Sequence, residues 1–120
     1  MNAGTLTLGA NQNLGVITGA GALNLSTFTL TTNASSNSTY SGVISGTGAL
    51  TKTGTGALTL SGANTYNGTT TVSAGTLKAG SITGISSNSA VSVAAGATLD
   101  LGGFNNTISS LSTATGTITN

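Results

Sequence analysis

Between Leu50 and Gly80 the chain alternates small polar residues with leucine or valine, and glycine interrupts at short intervals. Along an extended strand, successive side chains point to opposite faces, so period-two alternation marks a strand with one buried side. The glycines bound each run. Gly56-Ala57-Leu58-Thr59-Leu60 and Gly75-Thr76-Leu77 begin two such runs, 19 residues apart. That spacing suits one turn of a solenoid built from short strands and tight corners.

The same unit recurs along the chain. It appears as Gly4-Thr5-Leu6-Thr7-Leu8, Gly21-Ala22-Leu23-Asn24-Leu25, Gly48-Ala49-Leu50, Gly96-Ala97-Thr98-Leu99-Asp100-Leu101 and Gly116-Thr117-Ile118. Most neighbouring units lie 17 to 21 residues apart. Two intervals break the rhythm: Gly21 to Gly48 is long and Gly48 to Gly56 is short. The long interval has room for an extra loop around Asn33-Ala34-Ser35-Ser36-Asn37. Tyr40-Ser41-Gly42 before Gly48 echoes Tyr66-Asn67-Gly68 before Gly75, a second sign of repetition.

The expected fold is all-β, a parallel β-helix (β-solenoid) of about five to six short coils. Stacked at about 4.8 Å per coil, it would be a prism roughly 25 to 30 Å long. The predicted inward column holds Leu6, Leu8, Leu23, Leu25, Leu50, Leu58, Leu60, Leu77, Leu99, Leu101 and Ile118. Val16-Ile17, Val43-Ile44, Val72, Val91 and Val93 form a predicted second strand of each coil. Phe28 to Leu30, Ile108 and Leu111 form a third. Thr, which suits a pleated and half-exposed surface, fills most outward positions. Gly4, Gly21, Gly48, Gly56, Gly75, Gly96 and Gly116 are predicted to turn the corners, because glycine reaches positive φ without strain. Frequent Gly and Thr oppose helix, and no apolar stripe of helical period survives more than a turn.

The central stretch also resembles the autotransporter-associated β-strand repeat, whose pattern runs through Lys52, Gly56, Leu58, Leu60, Gly62, Asn64, Tyr66, Gly68, Thr70, Val72, Gly75 and Leu77. The resemblance covers about a quarter of the chain. That family occurs in passenger segments of bacterial autotransporters and in giant surface adhesins. The resemblance implies a right-handed parallel β-helix and a structural role, as a stalk or a segment supporting secretion, with no catalytic residues.

Composition narrows the classes further. Charged residues make up 2% of the chain, against roughly 25% in ordinary domains. Leu, Ile, Val and Phe number 26 of 120, enough to escape the disorder signature. A solenoid needs few apolar residues, since its core is a narrow column extended coil by coil. The length suits one domain, residues 1–120, read as a segment of or subunit in a longer stacked array. A net charge of +1 provides no basic face for phosphates, so no nucleic-acid partner is expected. There is no Cys, which excludes disulfides, thiolate metal sites and thiol catalysis. No run approaches 18 apolar residues, so this segment is not expected to insert as a helix in a membrane. Met1-Asn2-Ala3-Gly4 lacks a basic region followed by an apolar run and does not read as a signal peptide.

Catalysis lacks materials. There is no His, Cys or Glu and a single carboxylate, Asp100. Paired-carboxylate chemistry needs two. A Ser/Lys pair through Lys52 or Lys78 is formally open, but both lysines read as solvated side chains at strand ends. Asp100, between Leu99 and Leu101, should point outward, and one carboxylate does not make a calcium site. Gly46-Thr47-Gly48 and Gly54-Thr55-Gly56 lack the rest of a phosphate loop. Tyr40 and Tyr66 are predicted to cover the ends of the apolar column, with sugar stacking as the alternative. Asn33, Asn37, Asn64, Asn67, Asn105 and Asn106 fall in predicted turns, where Asn bonds its own backbone or ladders with the next coil. No catalytic, cofactor or metal site is expected.

The resulting expectation is a non-catalytic structural building block of an extracellular or cell-surface fibre, stacking head to tail with its own kind. The alternative is a stalk or secretion-supporting segment of an adhesin passenger, with a weak face for a cell-surface glycan or protein.

Overall fold

The computed structural model describes residues 3–113 and 115–120. Among these residues there is no helix, and 14 short strands follow one another. In chain order they are β1 (Thr5–Thr7), β2 (Gln12–Leu14), β3 (Ala22–Asn24), β4 (Thr29–Thr32), β5 (Ser38–Tyr40), β6 (Ile44–Ser45) and β7 (Ala49–Lys52). They continue as β8 (Ala57–Leu60), β9 (Thr70–Val72), β10 (Thr76–Ala79), β11 (Ala90–Val93), β12 (Thr98–Asp100), β13 (Ser110–Thr113) and β14 (Thr117–Thr119).

Every strand pair is parallel, and three sheets form the faces of a β-solenoid. The first sheet has the order β1-β3-β6, the second β13-β11-β9-β7-β4-β2, and the third β14-β12-β10-β8-β5. The six strands of the second sheet give six coils. The solid measures 36 × 27 × 23 Å.

Parallel strands buried on their inner face need continuous apolar stacking from coil to coil. On the third face Leu58, Leu77, Leu99 and Ile118 stand in one register. On the second face Leu30, Leu50, Thr70, Val91 and Leu111 do the same. Leu6, Leu23 and Ile44 line the first face. Each fully buried Leu contributes about 1.5–3 kcal/mol. Leu8, Leu23, Leu25, Leu50, Leu58, Leu60, Val72, Leu77, Val91, Val93 and Leu99 are all buried.

Several details differ from the sequence expectation. Leu6, Leu111 and Ile118 keep the inward register but are exposed, because β1, β13 and β14 are edge strands with a coil on one side only. Leu101 and Ile108 are half-buried against the core. Val16 and Val43 face solvent. The Gly-x-Leu units do not form one column: Leu23 lies on the first face, Leu50 on the second, and Leu58, Leu77 and Leu99 on the third. This explains the two broken intervals. Gly48 and Gly56 are close because their units, β7 and β8, are consecutive sides of one coil. Val72, Val91, Leu30 and Leu111 share the second face, so the predicted second and third strands merge there. The Tyr40 and Tyr66 echo is likewise not structural: Tyr40 lies in β5, while Tyr66 follows Thr65, whose N–H bonds Ile44 O in β6.

The segment 33–37 is not an extra loop. It is the corner between β4 and β5, five residues against four between β7 and β8. It carries the next corner on itself, through Gly56 N–H to Ala34 O at 3.1 Å.

The corner glycines divide into two kinds. Gly75, at φ +66°, occupies the left-handed region, where only glycine is unstrained. Gly4 and Gly96 share that region. Gly21, Gly48, Gly56 and Gly116 have no positive φ. At Gly48 a Cβ would lie 2.0 Å from Phe28 O in the coil below, so the requirement there is close stacking, not a left-handed turn.

Alternation gives a direct test of the core. Leu58 is buried, while Thr59 is half-buried with its side chain outward. Leu58→Ala is expected to cost about 2–5 kcal/mol and Thr59→Ala about 0.5 kcal/mol or less. Urea midpoints of the two variants check this, and equal shifts would contradict the inward phase.

Candidate functional site

Few side chains here can carry chemistry, and the structure scatters them. Lys78 is half-exposed on the outer face of β10 and sits 3.7 Å from Asp100 Oδ2 on β12. A solvated pair of this kind contributes about 0–1 kcal/mol. Asp100 Oδ1 also accepts the Gly102 N–H at 2.8 Å. Its outward position is as expected, and it serves its own turn. Among the described residues no group of three or more His, Cys, Asp or Glu gathers to hold a metal.

Lys52 overturns its sequence reading. It is not solvated at a strand end but buried, 2% exposed. It is in register with Thr32 and Val72 on the inner side of the second face. Its ammonium donates to Thr53 O at 2.7 Å, Gly54 O at 2.8 Å and Ala74 O at 3.3 Å. Three carbonyls therefore replace water at the corner of two successive coils. Desolvation by burial holds its pKa below the ordinary value. All three partners are backbone carbonyls, so this cation ties corners together. One coil below, the buried Thr32 Oγ1 has no partner among the described residues.

Tyr66 and Tyr40 are fully buried. They lie inside the stack, not at its ends and not on a sugar platform. The Tyr66 hydroxyl pairs with Thr70 Oγ1 at 2.7 Å, which pairs with Ser89 Oγ at 2.7 Å. Ser89 in turn donates to Gly68 O at 2.7 Å. Burial pushes the Tyr66 pKa up to about 12, against smaller opposing effects of its hydrogen bonds. Burial also raises that of Tyr40, whose hydroxyl donates to Gly21 O.

These two kinds of group give opposite pH effects. The lowered pKa of Lys52 means the unfolded chain binds its proton more readily, so stability rises with pH from the lowered folded value up to about 10.5. The raised pKa of Tyr66 protects the fold only below the ordinary tyrosine value; its contribution is lost as pH rises from about 10 to about 12. The chain has no His, the side chain that ordinarily titrates between about 5 and 8. Urea midpoints are therefore expected to stay flat from about pH 5 to 8, rise toward about 10 and then fall. Lys52→Met should remove the rise and keep the fall.

Asn64 is buried and bonded on both sides. Its Oδ1 accepts the Ile44 N–H at 2.8 Å and its Nδ2 donates to Gly84 O at 2.7 Å. It bridges the coils below and above, where the first sheet has ended at β6. Asn106 Oδ1 repeats the device on the Ile85 N–H at 3.3 Å. Asn37, predicted in a turn, accepts the Ala57 N–H at 2.9 Å. These are bridges from one coil to another, not ladders of stacked asparagines.

Two surfaces remain. On the outer side of the second face, Asn13, Thr31, Thr51, Thr71, Ser92 and Ser112 form one uncharged column in register. Such a column offers hydroxyls and an amide but no acid or base. At the first coil, an apolar cavity of about 180 Å³ opens between Leu6, Leu14, Val16, Ile17, Thr18, Leu23 and Tyr40.

The inward lysine, the bridging asparagine and the buried Tyr66 lie within residues 50–79, which match the family described as Passenger-associated-transport-repeat. Residues 50–79, a quarter of the chain, are similar to that repeat. Beyond the repeat, the chain is 42% identical over 118 residues, 93% of its length, to the Adhesin BmaC autotransporter of Brucella suis biovar 1 (strain 1330). It spans 3% of the length of that relative. No solved structure matches the chain. Lys52, Asn64, Tyr66, Thr70 and Val72 all lie within the matched residues, and all five are buried.

Proposed function

We propose that this chain is a non-catalytic structural segment of a surface adhesin passenger, a run of coils within a longer extracellular rod. The observation that carries this reading is the parallel register of six coils, with the buried Lys52, Asn64 and Thr70 bonded from one coil to the next. The name of its relative, an autotransporter adhesin, supports placement at the cell surface or in a secreted passenger. The few titratable groups are spent on corners and turns, which supports a structural role over an enzymatic one. The segment's task is length and stiffness, and its neighbours in the rod stack on it head to tail.

The test is an adhesin passenger carrying this segment twice. Six coils at about 4.8 Å each should lengthen the rod by about 29 Å in electron micrographs of the displayed fibre. Replacing the segment with an unrelated solenoid of equal length should leave cell binding intact. An unchanged length, or binding lost on replacement, would overturn the proposal; the second result would place recognition on the segment's own faces.

A further inference from the structure

We propose that Asn67 is a modification site gated by the fold: it loses its side-chain amide while the chain is unfolded, and stacking of its coil stops the reaction. Asn67-Gly68 is the one Asn-Gly pair in the sequence. It lies inside the stack between β8 and β9, with Gly46 and Gly48 in the coil below and Ser89 in the coil above.

The chemistry needs only these two residues and water. The Gly68 backbone nitrogen gives up its proton and attacks Asn67 Cγ. A C–N bond forms, the bond from Cγ to the side-chain nitrogen breaks, and that nitrogen takes up the proton and leaves as ammonia. The product is a cyclic succinimide. Water then opens the ring at either carbonyl. Opening at one leaves aspartate at position 67. Opening at the other leaves isoaspartate, in which the main chain runs through the former side-chain carbons and is longer by an atom. No oxidant or reductant takes part. Glycine has no Cβ to obstruct the approach. Where serine follows asparagine, as at Asn37-Ser38 and Asn88-Ser89, a side chain crowds it.

In the folded chain the attacking nitrogen is occupied. The Gly68 N–H donates to Gly48 O at 3.1 Å, and the Asn67 N–H to Gly46 O at 2.9 Å. The Gly68 carbonyl accepts from Ser89 Oγ at 2.7 Å, and the Thr69 carbonyl accepts the Leu50 N–H at 3.0 Å. The backbone here is therefore held from both neighbouring coils, while the Asn67 side chain is exposed. Turning the Gly68 nitrogen onto Cγ requires breaking its bond to Gly48, so conversion waits for local opening of the coil. The stacking leaves no slack, since a Cβ at Gly68 would collide with Gly48 O. Isoaspartate lengthens the main chain just before Gly68 and displaces this contact. Aspartate at the same exposed position changes no backbone group. The site thus times the unfolded chain: delay before folding yields an isoaspartate form that cannot close the coil, and a closed coil is shielded.

The experiment holds the purified chain in mildly alkaline buffer, folded in one series and unfolded in guanidinium chloride in the other. Peptide mapping and isoaspartyl methyltransferase labelling follow position 67. Conversion adds a carboxylate and takes the net charge from +1 to zero, which isoelectric focusing reads. The folded chain is expected to convert at least about tenfold more slowly. After dilution of the denaturant, the refolded, protease-resistant fraction should contain aspartate at this position but no isoaspartate. Asn67→Gln alters an exposed side chain, so it should match the parent's thermal midpoint and keep its capacity to refold after the same time in denaturant. Equal rates in the two series would overturn the proposal, as would an intact amide at position 67 in denaturant. So would isoaspartate in the refolded fraction, or an equal loss of refolding by Asn67→Gln. None of these results bears on rod length.

Discussion

Gly48→Ala is expected to destabilise the chain by more than about 4 kcal/mol, among the largest effects of a single methyl group. A Cβ there would lie 2.0 Å from Phe28 O and 2.7 Å from Leu25 Cβ. The first contact is with backbone, which has no rotamer to give. Moving the coil away would stretch the Ala49 N–H to Phe28 O bond, 3.2 Å, and the Gly68 N–H to Gly48 O bond, 3.1 Å. Domains are stable by about 5–15 kcal/mol in total, so the variant should be largely unfolded at modest urea. Gly9→Ala is the control. Nothing lies within 4 Å of a Cβ there and its φ is not positive, so its urea midpoint should shift by no more than about 0.5 kcal/mol.

Asn64→Leu should be comparably damaging for a different reason. The side chain fits an apolar interior, but the Ile44 N–H and the Gly84 C=O both lose their partner. Each unsatisfied buried group costs about 1–3 kcal/mol. Asn64→Asp separates the two halves of the bridge. The carboxylate can still accept from Ile44 but cannot donate to Gly84. Protonation restores a donor, so this variant alone should gain stability as pH is lowered toward about 4. Denaturation midpoints at neutral and acidic pH check both. Equal stability of Asn64→Leu and the parent would show that the bridge contributes nothing.

The phase of the core was present in the sequence further than the leucines suggested. Gly48, Leu50, Lys52, Gly56, Leu58, Leu60, Gly62, Asn64, Tyr66, Thr70 and Val72 are all buried, and all have even numbers. Period two therefore continues through Lys52, Asn64 and Tyr66. Chemical type misled where position did not: a lysine two residues after Leu50 on one strand points the same way as Leu50. Its burial became tolerable only because corner carbonyls of two coils converge on the ammonium. The glycines misled in the opposite sense. Glycine in a run of this kind suggests a left-handed corner, as at Gly75, whereas Gly48 is required by a carbonyl of the coil below. That carbonyl belongs to Phe28, 20 residues earlier, and no local pattern reveals it.

Strand periodicity, the absence of helix, the coil length and the supply of apolar residues were properties of the chain itself, because pleating and glycine's backbone freedom act within a few residues. Which face each strand joins was decided only on closure of the coils. Leu50 and Leu58 begin with the same local motif yet lie on different faces, because a corner of four residues separates them. The exposure of Leu6, Leu111 and Ile118, identical in pattern to the buried leucines, was decided the same way. Burial in a solenoid is conferred by the coil stacked above, and edge strands have one neighbour where inner strands have two.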